Sequence, residues 1–130
     1  LTGDWLTAAK NSRTQDINPT DMNTSVVTAH SNSDVAVYTY NEDDNRSGFT
    51  SCIDPSGDIC LHWHVNFNLN TSHTSMAHKD WVACQEFGHA TGLHHQQNDP
   101  GDSCMNDSHI HVGVFDSHDL FHINTNIFPP

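Results

Sequence analysis

The run Gln85-Glu86-Phe87-Gly88-His89-Ala90-Thr91-Gly92-Leu93-His94-His95 leaves the folding chain few options. The pattern is helical from about Ser75 to Thr91, with Ser75 or Thr74 able to cap the start. Positions i and i+4 of a helix project from one face, one turn apart, so Gln85 and His89 can reach the same point. Gly92 can take the left-handed conformation that ends a helix and sends the chain back, which returns His95 toward that point. Imidazole is the commonest protein ligand for a metal. Three ligands with an open fourth position make a catalytic rather than a structural zinc site. Glu86 stands one position along, where it can take a proton from a zinc-activated water during attack on a carbonyl.

Composition bounds what surrounds this run. The chain has 130 residues, enough for one domain spanning 1–130. Only 35% of residues are hydrophobic, a lean supply for a core, so cross-links are expected to supplement packing. Four cysteines fit that need and point to an oxidising compartment. Four Asn-x-Ser/Thr sequons, at Asn23, Asn45, Asn70 and Asn106, agree with secretion. The opening Leu1-Thr2-Gly3-Asp4-Trp5 carries no signal-like segment and reads as a processed product. Acidic residues number 16 against 4 basic, a formal charge of −12, which disfavours nucleic acid and anionic membrane partners. No apolar run is long enough to span a membrane.

Along the chain, Asp4 to about Ser12 reads as a short helix burying Trp5, Ala8 and Ala9, and Gln15 to Thr24 as loop. Ser25–Thr28 and, more strongly, Asp34–Tyr40 read as strands. Asn41 to Gly48 is a polar loop whose Asn41, Asp43 and Asn45 carry a weak Ca²⁺-loop pattern, outweighed by a solvated acidic turn. Cys52 and Cys60 bracket a Pro/Gly turn and are expected to close a hairpin by a disulfide. His62–Leu69 alternates with period 2, which turns Trp63, Val65, Phe67 and Leu69 to the core and His62, His64, Asn66 and Asn68 to the other face. A final helix is expected after Asp116 or Ser117.

Gln85-Glu86-x-x-His89-x-x-Gly92-x-x-His95, followed by Ser103-Cys104-Met105-Asn106, resembles the metzincin zinc-protease signature and its Met-turn. It also resembles a group of small secreted metzincin-like proteins in which the first ligand position is often glutamine. The resemblance covers roughly residues 60 to 123. It implies an α+β zincin-like fold: a twisted mixed sheet, a long active-site helix, a Met-turn at Met105 and a C-terminal helix. It also implies one Zn²⁺ held by His89, His95 and Gln85, with Glu86 as general base. A Cys84–Cys104 disulfide and a peptide-binding edge strand at His62–Leu69 are implied in the same way.

Gln85 departs from the usual histidine, and an amide oxygen is a poor zinc donor. It ligates weakly, or His94, Asp99, His111, His118 or a second water completes the sphere, or the metal is lost and the fold kept. The expected function is a secreted zinc-dependent endopeptidase acting on peptide or protein substrates. The alternatives are a catalytically impaired metzincin-like binding or structural protein, and a His-rich metal-binding protein. His62/His64 and His109/His111 share a His-x-His spacing that suits exposed strand residues better than metal. His30, His73, His78, His94 and His122 read as surface residues, and Trp5, Trp63 and Trp81 as core or rim.

Overall fold

A computed structural model of the chain describes residues 1–27, 29–96, 102–106 and 112–127. Among these, three α-helices and one three-stranded mixed sheet make a small α+β fold. Helix α1 is Gly3–Ser12, strands β1, β2 and β3 are Val35–Tyr40, Gly48–Ser56 and Ile59–Asn68, and helices α2 and α3 are Met76–Ala90 and Ser117–His122. The strand order is β1-β3-β2. β1 runs parallel to β3, and β2 antiparallel to it through a tight hairpin.

Two apolar clusters organise the fold. Trp5 of α1 stacks on Phe67 of β3 with ring centroids 4.6 Å apart. Ala8, Ala9, Val65, Val82 and Ala83 complete this cluster, so both long helices bury their apolar faces on one face of the sheet. The second cluster, Ile17, Cys84, Leu93, Cys104, Met105, Phe115 and Ile123, lies along α2 away from the sheet. The Cys84–Cys104 disulfide runs through it, and Cys52–Cys60 closes the β2–β3 hairpin. Both pairings agree with expectation. Two disulfides fit an extracellular protein. Among the described residues no helix is long and apolar enough to cross a membrane.

Several expectations give way. Ser25–Val27 form no strand, and Thr28 lies outside the described residues. Val26 is 77% exposed, so the segment buries no apolar face of the kind that holds a strand in a sheet. The Arg13 guanidinium instead ties its approach by donating to the Thr24 hydroxyl and carbonyl at 3.1 and 2.9 Å. The loop expected from Gln15 is helical as far as Ile17, because a π-helical turn carries Asp16 and Ile17 into the interior.

The alternation of β3 also ends early. Leu69 is 57% exposed, whereas Asn68 is buried. The Asn68 amide donates to Glu42 O, Asp44 Oδ1 and Arg46 O at 2.8–3.1 Å, drawing the 41–46 loop over that end of the sheet. The loop's acceptors thus converge on an amide group, while Asn41, Asp43 and Asn45 are exposed. Finally, β3 is the central strand, not an edge; the edges are β1 and β2.

Candidate functional site

Helix α2 begins at Ser75, whose hydroxyl accepts the His78 N–H at 3.2 Å. Its other end carries the site. Gly92, at φ +98°, donates to His89 O, and the Leu93 N–H reaches back to Gly88 O, both at 3.0 Å. These two bonds form a Schellman motif, which satisfies the orphan carbonyls and reverses the chain. Leu93 is buried by the reversal, and His95 is brought over His89.

The two imidazoles meet with their Nε2 atoms 2.9 Å apart. His89 Nδ1 lies 2.9 Å from the Leu93 carbonyl. A carbonyl only accepts, so His89 Nδ1 carries the proton and, in a neutral ring, Nε2 presents a lone pair to His95. This arrangement of a ring nitrogen fixed by a backbone acceptor recurs behind metal-bound histidines.

Glu86 is buried, and the Thr50 hydroxyl stands 2.8 Å from both its carboxylate and its backbone carbonyl. One hydroxyl proton serves only one of these at a time. Burial pushes the Glu86 carboxyl up to about 7, opposed by the Thr50 hydrogen bond and the nearby charges of His95 and Arg46. Gly48 makes the close approach of β2 to α2 feasible, since a Cβ there would stand 2.9 Å from Val82 Cγ1. Gln85, also buried, borders a cavity of about 340 Å³ with Arg46, His78, Trp81 and Glu86.

Behind the helix, fully buried Met105 occupies the space a side chain at Gly88 would need, directly before His89. Its turn is pinned from α3. Ser103 Oγ donates to Asp119, Met105 N–H donates to Ser103 Oγ at 2.9 Å, and Gln96 donates to Asp119 Oδ1 at 2.7 Å. Gln96 N–H also reaches Met105 O at 2.9 Å, so the segment after His95 is tied to the turn.

Thr50 was not legible as a site residue, and Ser103 stood in the sequence only as part of the Met-turn resemblance, without its link to Asp119. Asp119 completes a capping box with Asp116 at the start of α3. The substitute ligands divide. His94 is exposed, Asp99 and His111 lie outside the described residues, as does His109, and His118 belongs to a group with Asp116 and Asp119. That group could hold a metal ion, but its carboxylates already cap α3. A second such group joins His30, His62 and His64. His78, expected at the surface, is buried, with its Nε2 2.9 Å from Ser47 Oγ. No family model matches the chain, and no curated protein or solved structure compared with it does either.

Proposed function

We propose that the chain is a secreted, metzincin-like zinc-dependent peptide hydrolase centred on His89, His95 and Glu86. The observation that carries this reading is the 2.9 Å approach of two Nε2 atoms, with the tautomer of His89 set by Leu93. Two facing nitrogens need a proton or a cation between them, and zinc is suited to paired imidazoles. His89 and His95 would hold the ion; Gln85 supplies a weak amide oxygen or leaves that position to water. Zinc, when bound, supplies a Lewis acid that makes water a nucleophile near neutral pH.

Glu86 takes up the proton released by the attacking water and returns it to the departing amine, while Thr50 orients its carboxylate. Strand β2 pairs with β3 on one side and, among the described residues, has no partner strand on the other. An extended peptide adding to that edge would pass Thr50 and Glu86.

Gln85 favours a second reading, a scaffold that binds metal and partner without turnover, because an amide oxygen replaces a stronger ligand. Hydrolysis of a fluorogenic peptide library by zinc-loaded wild type and Glu86→Gln separates the two. Turnover lost in the variant with zinc content unchanged supports the hydrolase. Zinc binding without turnover in the wild type supports the scaffold, and a Gln85→His protein that then gains activity identifies the amide as the defect.

A further inference from the structure

His62 and His64 leave β3 on the side opposite Val65 and Phe67, and therefore opposite the helices. The short 3₁₀ turn His30–Asn32, which precedes β1, brings a third imidazole over them. Ring centroids lie 5.1 Å apart for His30 and His62, 5.8 Å for His30 and His64, and 5.2 Å for His62 and His64. One nitrogen of each ring lies within 4.8 Å of the other two.

The protonation of His62 is set by its surroundings. Its Nδ1 stands 2.8 Å from the Ser33 carbonyl and must donate, which leaves Nε2 as an acceptor in the neutral ring. That Nε2 is buried and has no hydrogen-bond partner. Buried polar atoms are nearly always satisfied, so an orphaned lone pair facing two further imidazoles calls for a ligand. A water or a cation could supply it, and three convergent nitrogen donors favour the cation.

We infer that His30, His62 and His64 form a second metal site, taking a divalent late first-row cation such as zinc, on the sheet face opposite α2. Ligand nitrogens on a tetrahedral zinc lie about 3.4 Å apart, a contraction that rotation of exposed His30 and half-exposed His64 can supply. Tyr38, with its ring 4.8 Å from that of His64, walls one side. The fourth position is left to solvent. The bound ion would fasten the turn before β1 to the central strand, a cross-link useful to a chain with a lean core. This is independent of the hydrolase reading, which uses none of these residues.

The test is zinc titration of the full chain carrying His89→Asn and His95→Asn, followed by calorimetry, thermal unfolding and NMR of the histidine ring nitrogens. The expected result is one zinc per chain at micromolar affinity or tighter, a shift of the His62 Nε2 resonance and a higher Tm with zinc. Adding His30→Asn and His64→Asn should weaken binding at least tenfold and remove the zinc-dependent rise in Tm. Absence of micromolar binding in the first variant, or binding unchanged by the added substitutions, overturns the inference. Should the first variant fail to fold, the His62 resonance of wild type decides: it shifts with zinc if the inference holds and stays fixed if it does not.

Discussion

Asp16 is fully buried where α1 runs into its π-helical turn, and burial pushes its carboxyl up to about 6. The Phe115 N–H, at 3.3 Å, only partly compensates. The folded chain therefore holds this proton more tightly than the unfolded chain does, so Asp16 favours folding at low pH. Its contribution is present below about pH 4, lost as pH rises to about 6, and amounts to at most about 3 kcal/mol. Asp16→Asn should flatten the pH dependence of stability across that window and raise stability at neutral pH. Urea denaturation at several pH values checks both. Gly88 makes a second residue-scale test. A methyl there meets Met105 and Phe115, so Gly88→Ala should cost about 1–3 kcal/mol, read from the same curves. A neutral outcome would mean that the Met105 side chain is not held against α2.

At the scale of elements, α2 was the most legible part of the sequence. Its cap at Ser75, its stop at Gly92 and the return to His95 all follow from local chemistry, since i+4 spacing and a left-handed glycine act within a few residues. Gly92→Ala should lower stability by about 1 kcal/mol and weaken zinc binding, because the left-handed Gly92 directs His95 toward His89. Zinc affinity unchanged in that variant would show that His95 reaches its place without the motif. The strands were less legible. Val26 and Val27 carry strand-like side chains, yet the fold leaves both exposed and gives them no sheet to join. Likewise nothing in the alternation of His62–Leu69 tells a central strand from an edge, because neighbours in a sheet are chosen by tertiary packing. The meeting of His30 with His62 and His64 was hidden for the same reason: one comes from a turn and two from a strand about 30 residues on.

The whole molecule is two modest cores joined by α2, and the disulfides do unequal work in it. Cys84–Cys104 spans 20 residues and fastens α2 to the turn carrying Met105. Cys52–Cys60 spans only 8 and staples a hairpin that is already paired. The chain-entropy model puts the first near 3 kcal/mol and the second somewhat lower, at about 2.5 kcal/mol. Replacing Cys84 and Cys104 together by serine should therefore destabilise the fold more than replacing Cys52 and Cys60, and it alone should loosen zinc at His89 and His95. Equal losses, or zinc binding indifferent to the first pair, would contradict this division.

The most direct test of the site is NMR of the histidine side-chain nitrogens of the wild-type protein during zinc titration. Before zinc, the His89 ring should be protonated at Nδ1, as its contact with Leu93 O requires. During the titration the Nε2 resonances of His89 and His95 should shift together and saturate at one ion per pair. If those two resonances stay fixed while zinc binds elsewhere, or does not bind, the His89–His95 pair is no metal centre and the proposed hydrolase falls with it.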